Sequence, residues 1–427
     1  MSVIFNNSLS KIDEILSKSQ SSPHQTRMVT FSKSSNYSAG SYENLSLPVK
    51  YDANKTLIQY DESFIIDNYG HNEYAFSKIC IGTHPDFSDL DHTNYIMHHC
   101  VSMFVDIKGS TKLVDKYSIQ EVRMIKDTIL SLIILVANQF GGHIQRLQGD
   151  GVFISFCRRN KEPVNSIINA LNASSILAQF ISADLAEIFK KNDINPLRIR
   201  IGIDYGNDEN VLWSYYGLNG CDELTTTSLH TDMAAKLQAK AADNSILIGN
   251  NIVEALDLTR EVISNYYKDG NREEVYTVTS NLTYKFYCFD WKNYLVQHPN
   301  FKLLSNGNLK HDKKNIFLRC NYSFQEKINE YYPNSKGIPK SGEITFTLYE
   351  NGIPYTRKNF EEIRWTIFNS GKEAKLDNCV SQEIDNKSKN LNHCTTTAKY
   401  LGLHKIQCKL IRPHSENINI EFPVIVY

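Results

Sequence analysis

Two hydrophobic rhythms divide the chain. Between about residues 95 and 298 apolar residues come in long blocks, whereas from about 300 onward they fall into short runs broken by Gly, Pro, Asn and Lys. The first block, YIMHHCVSMFVDI (95–107), is apolar and β-branched and predicts one central strand ending at KGST. SIQE at 118–121 is a capping box, apolar residues continue at 125, 129, 132 and 133, and Gly141-Gly142 predicts the stop. HIQRLQGDGVFISF (143–156) alternates around a GDG turn, the pattern of a hairpin. Residues 165–188 predict a second amphipathic helix, 197–206 and 209–217 strands, and 228–241 a third helix. A strand and helix over 245–256 close the series.

This mixed order implies an α+β fold with helices packed on a sheet. The later runs (342–354, 363–371, 404–413 and 418–427) predict a small all-β sandwich. At the start, residues 1–48 are rich in Ser, Asn and Lys with little periodicity and predict a loose arm. Residues 49–95 are irregular, with short apolar pieces, TLIQY (56–60) and SFIID (63–67), that read as strands. The expected division is an arm over 1–48, an extension of uncertain form over 49–95, an α+β domain over 96–298 and a β-sandwich over 310–427.

Composition narrows the partners. A chain of 427 residues exceeds what one core usually serves, and 41% hydrophobic with 22% charged residues is ordinary for globular domains. A net charge of −1 provides no basic field for nucleic acid or an anionic bilayer. Nine scattered cysteines without a CxxC pair, and no secretory leader, predict reduced thiols and a cytoplasmic protein. The longest apolar run, ILSLIILVA (129–137), is far short of the roughly 20 residues of a span, so no membrane span is expected.

The chemistry concentrates in FVDIKGST (104–111) and LQGDGVFISF (147–156). Asp106 falls near a strand end and Asp150 in a hairpin turn, so neighbouring strands would aim both carboxylates at one spot. Hard divalent cations such as Mg²⁺ or Mn²⁺ take oxygen ligands, and a two-metal site lets one ion activate a hydroxyl while the other clamps a triphosphate. Taken singly, each has a plainer reading: Asp106 as a helix cap, Asp150 as a turn residue.

Together with GIDYG (202–206) and AAKLQ (234–238), these motifs resemble the class III adenylyl and guanylyl cyclases over residues 96–292. The resemblance implies that Asp106 and Asp150, with the backbone carbonyl of Ile107, bind two Mg²⁺ or Mn²⁺ ions. It implies that Lys236 stands where the family has a transition-state arginine, keeping the charge without the planar fork. Asp232 stands at the ribose-orienting asparagine. The plainer reading of Asp232 and Lys236 is an i,i+4 surface ion pair. The resemblance further implies a homodimer, with Asp106 and Asp150 of one subunit facing Arg146, Thr225, Asp232 and Lys236 of the other. The family's triphosphate-binding lysine has no recognisable counterpart, although Lys268 and Lys285 lie in the right part of the chain.

Arg146 and Thr225 stand at the two base-reading positions and satisfy neither purine code. Arg146 donates only, and Thr225 both donates and accepts. The pair suits uracil, with two carbonyl acceptors flanking an N–H, or cytosine, with adjacent O2 and N3 acceptors beside an amino donor. UTP is favoured narrowly over CTP, because the uracil edge is richer in carbonyls. The plainer reading of Arg146 is a pairing with a phosphate or with an acid on the sheet.

Residues 361–376, 395–411 and FPVIVY (422–427) resemble the C-terminal sensor domain of bacterial anti-phage cyclases and nucleotidyltransferases, carried by Trp365 through Ala374, Tyr400-Leu401-Gly402 and His404. Trp365 itself reads first as a core residue. A cyclase with this tail and a non-purine base code resembles the pyrimidine cyclases of the Pycsar defence system. That resemblance implies cyclic UMP or cyclic CMP as a second messenger read by a separate effector. The alternatives are an adenylate cyclase that tolerates Arg146, and a silent nucleotide-binding sensor.

Overall fold

A computed structural model describes residues 62–305, 307, 309–384, 391–413 and 415–427. The expected arm and TLIQY lie outside these residues. SFIID does not form a strand. It lies in helix α1, Glu62–Tyr69, because Phe64, Ile65, Asn68 and Tyr69 recur at helical spacing and all four are buried.

The run read as one central strand is two. Strand β1 (Ile96–Met97) stops at His98, and β2 (Cys100–Lys108) starts after His99. The break occurs because Asp208 accepts from the His99 backbone N–H at 2.7 Å and the Trp213 indole donates to the His98 carbonyl at 3.1 Å. Helix α2 (Ile119–Gln139) carries the full capping box, with Ser118 and Glu121 each accepting from the other's backbone, and ends before Gly141 at φ +77°. Strands β3 (Gly142–Gln148) and β4 (Gly151–Phe156) form the hairpin.

Helix α3 (Pro163–Gln179) passes through a π-helical turn, Phe180–Asp184, into α4 (Leu185–Lys191). This 29-residue stretch, Pro163–Lys191, is long and apolar enough to cross a membrane, a candidate that the shorter run at 129–137 concealed. Its apolar window is 89% buried inside the fold, as a core helix. Strands β5 (Arg198–Gly206), β6 (Leu212–Leu218) and β7 (Cys221–Thr227) precede helix α5 (Leu229–Lys240), and β8 (Ser245–Gly249) leads into α6 (Asn250–Ala255).

The main sheet runs in the order Val275–Thr279, Leu282–Phe289, β8, β5, β2, β4, β3. β5 and β8 are parallel, and β2 lies antiparallel between β4 and β5. Side-chain alternation along β2 decides what each face meets. Val101, Met103, Val105 and Ile107 enter the core built with α2 and α3. Ser102, Phe104 and Asp106 face the other way, toward α5, where Ser102 bonds Thr231 at 2.9 Å. Helix α5 lies so close to β5 that a Cβ at Gly202 would meet the Ala234 carbonyl and the Gln238 nitrogen at 2.2 Å, so only glycine fits there. A smaller sheet, in the order β1, β6, β7, stands beside the β3 edge.

Beyond Ile316 the chain forms two five-stranded sheets over a second core, with one short helix, Gly371–Leu376. Trp365 is fully buried there and donates to the Leu391 carbonyl at 3.1 Å. Leu403 and Ile425 of this module pack into the first core, and Asn165 and Asn172 reach across to Gly337 and Asn334 at 2.8 Å. All nine cysteines are free thiols.

Candidate active site

Asp106 faces outward two residues before the end of β2, opposite Gly151, the first residue of β4, and Arg200 on β5. The register therefore delivers Asp150, at the hairpin tip, beside Asp106. Arg200 bonds the Asp106 carboxylate and, through its other nitrogen, the Ala239 carbonyl of α5 at 3.1 Å. Lys126 of α2 stands 4.0 Å from Asp150. Each carboxylate thus has a cation nearby, which offsets two like charges held close together.

The donor set fits a hard divalent cation. It consists of two carboxylates about 23% exposed, together with the backbone beyond Asp106. Ile107 buries its side chain in the core, so only its carbonyl is available to a ligand. Gly151 keeps the place open, since a Cβ there would lie 3.2 Å from the Val105 carbonyl and 3.8 Å from Asp106 Oδ1.

Arg146 is brought against β7, the strand of Thr225, through a device without a sequence signal. The β3–β4 register shifts between Ile144 and Arg146, a bulge at Gln145. The displaced Gln145 is buried and donates to the Leu224 carbonyl on β7. That bond ties the two sheets and places Glu223 against Arg146. The carboxylate accepts from Arg146 Nε at 2.9 Å and from Nη2. Arg146 therefore pairs with an acid across the sheets. Thr225, two residues along β7, shares the face of Glu223, while Leu224 points into a separate core with Trp213.

Asp232 and Lys236 are exposed on the outer side of α5 and form no ion pair with each other. Lys268 lies at an exposed hairpin end, and Lys285 lines the cleft of about 880 Å³ between the two domains. Arg200 and Glu223 went unnoticed in the sequence. Alternation in LRIRIGIDYG could have placed Arg200 on the face of Asp106, whereas nothing local marks Glu223.

A second polar cluster underlies α5. Asp204 is fully buried and accepts from the Tyr205 backbone at 2.8 Å, while His230 stands 3.1 Å from it and Tyr284 donates to it at 2.5 Å. Burial raises the Asp204 carboxyl above its usual range, opposed by these bonds, and burial pushes the Tyr284 hydroxyl well up. Elsewhere burial pushes His99 and His298 down to about 4, so both rings are neutral.

A sheet carrying paired aspartates at a strand end and hairpin tip, with helices on both faces, defines a class III nucleotide cyclase domain followed by a β-sandwich. Residues 292–421 match the family described as the adenylyl/guanylyl and SMODS C-terminal sensor domain. A protein of Staphylococcus aureus named cytidylate cyclase is 37% identical over 353 residues, covering 80% of this chain and 81% of the relative. A cytidylate cyclase of Escherichia coli is 32% identical over 386 residues, covering 82% and 80%. The chain belongs to this family of nucleotide cyclases. The crystal structure of the adenylyl cyclase CyaB from P. aeruginosa is 18% identical, with a TM-score of 0.40, over 46% of this chain and 95% of that one.

Proposed function

We propose that this chain cyclises CTP to cyclic CMP and pyrophosphate. The observation that carries the substrate is the name cytidylate cyclase on relatives aligned over four-fifths of their length. It outweighs the narrow preference for UTP drawn from Arg146 and Thr225 alone.

In the reaction the ribose 3′-oxygen attacks the α-phosphorus, the bond to the β-phosphate oxygen breaks, and the hydroxyl proton passes to solvent. Asp106, Asp150 and the Ile107 carbonyl would hold the divalent cations. When bound, Mg²⁺ or Mn²⁺ would supply charge neutralisation on the triphosphate and acidify the 3′-hydroxyl. Asp232 orients the ribose, Lys236 offsets charge growing on the transferred phosphoryl group, and Arg146 with Thr225 reads the base. The domain over 96–298 works as a homodimer with shared sites, as the resemblance to class III cyclases implies, and the exposure of Asp232 and Lys236 on α5 leaves them open to a second subunit. The module over 310–427 acts as its sensor, and the product serves as an anti-phage second messenger for a separate effector in the cytoplasm.

Incubating the purified protein with each of the four nucleoside triphosphates and Mn²⁺ tests the substrate. Cyclic CMP is expected as the main product, and turnover confined to another nucleotide, or none, refutes the reading. Mixing Asp106→Ala with Lys236→Ala subunits tests the shared site. Activity absent from either variant alone is expected to return, and no recovery despite proven subunit exchange places the site within one chain.

A further inference from the structure

The Arg146–Glu223 pair has a chemistry that neither residue has alone. The carboxylate occupies Nε and Nη2 of the guanidinium. Among the described residues nothing else bonds Nη1 or the outer lone pairs of the carboxylate. Because the contact is a two-point fork, the pair presents a fixed edge with an acceptor beside donors. The two side chains are still 44% and 31% exposed, so this edge is reachable. Tyr216, opposite Glu223 in the β6–β7 ladder, is 46% exposed, and Leu218 on the same face is 78% exposed. An apolar rim of this kind suits a pair that becomes desolvated when substrate and a second subunit cover it, where its hydrogen bonds discriminate most.

Cytosine and uracil differ in what they present to such an edge. Cytosine presents the N4 amino donor followed by the N3 and O2 acceptors. Uracil presents the O4 acceptor, the N3–H donor and the O2 acceptor. An acceptor beside donors matches cytosine in order, and it sets a carboxylate against the lone pairs of uracil O4. We propose that Glu223, held in place by Arg146, is the residue that selects cytosine over uracil. Its carboxylate accepts from the N4 amino group while the guanidinium donates to N3 and O2. Thr225, on the same face, completes the pocket wall. This inference rests on the reading of the chain as a cyclase acting on CTP.

The test uses the purified full-length protein with equimolar CTP and UTP, Mn²⁺, and mass-spectrometric measurement of both cyclic products. In Glu223→Gln the side chain keeps its size but can turn an amide N–H toward O4. The ratio of cyclic CMP to cyclic UMP is expected to fall about tenfold or more, the scale of a mispaired polar contact in a buried site. A general loss of activity from damaged structure would lower both products without moving the ratio. Arg146→Lys keeps the charge but loses the fork, and the ratio is expected to fall there too, so the test survives a Gln variant that does not fold. A ratio within about twofold of wild type, in whichever variant folds, overturns the role of Glu223 and leaves the cyclase reading standing. Wild-type protein that makes no cyclic CMP overturns the substrate reading and this inference with it.

Discussion

Asp106 and Asp204 stand on adjacent strands of one sheet, face the same side, and serve opposite ends. Asp106 is 23% exposed and is held by Arg200, a long side chain that can yield it to another cation. Asp204 is 0% exposed and is enclosed by His230, Tyr284 and the Tyr205 backbone. A carboxylate deep in the sheet must be satisfied by fixed donors, because nothing mobile can reach it. Those donors pin the first turn of α5 to the sheet. At Asp106, solvent access leaves the carboxylate free to exchange partners. Both lie two residues before the end of their strands, so cover by the first turn of α5 and by Tyr284, not place along the strand or residue type, separates the aspartate that organises the fold from the one available for chemistry.

Four experiments press on this contrast. The largest effect is expected from Asp204→Ala, which leaves His230 and Tyr284 without their buried partner and should lower the unfolding free energy by about 3–5 kcal/mol. Chemical denaturation measures it, and a midpoint equal to wild type would make the buried cluster dispensable. Asp106→Ala should do the reverse, leaving the melting temperature close to wild type while turnover falls at least about a hundredfold, about 2.7 kcal/mol in barrier. Retention of more than about a tenth of the rate would remove Asp106 from the site.

The third experiment extends the comparison to the buried histidines. His99 and His298 hold pKa values of about 4 in the fold against 6.5 when free. Their rings take up protons on unfolding, so stability is complete above pH 6.5 and declines as the pH falls toward 4. At pH 5 the loss is about 2 kcal/mol for each ring. Melting curves between pH 7.5 and 5 should record it, and His298→Asn should flatten the profile. The smallest effect is at an exposed site. Ser118→Ala removes the cap of α2 and should cost about 1 kcal/mol with turnover unchanged, so a cost above about 3 kcal/mol would mean that Ser118 does more than cap.

Much of the fold was legible because it is set by neighbours a few residues apart. The capping box at Ser118 and Glu121, the hairpin around Asp150 and the strand that carries Asp106 all rest on contacts within four residues or on simple alternation. SFIID failed for the same reason in reverse. Five residues cannot distinguish a short strand from one turn of a helix until the surface that buries Phe64 and Ile65 is known. The run at 95–107 looked continuous because apolarity alone does not register that Asp208 and Trp213 capture the backbone at His98 and His99.

The sequence by itself determined the α+β character, most of the helices and strands beyond residue 100, and the placing of Asp106 in a strand and Asp150 in a hairpin turn, since each follows from local periodicity and turn chemistry. Tertiary structure alone decided what those aspartates meet. Arg200 lies 94 residues from Asp106, Glu223 lies 77 from Arg146, and Tyr284 lies 80 from Asp204. Such pairs depend on strand order and on one bulged residue at Gln145, which no local pattern encodes, because strand pairing is chosen by burial of the whole sheet.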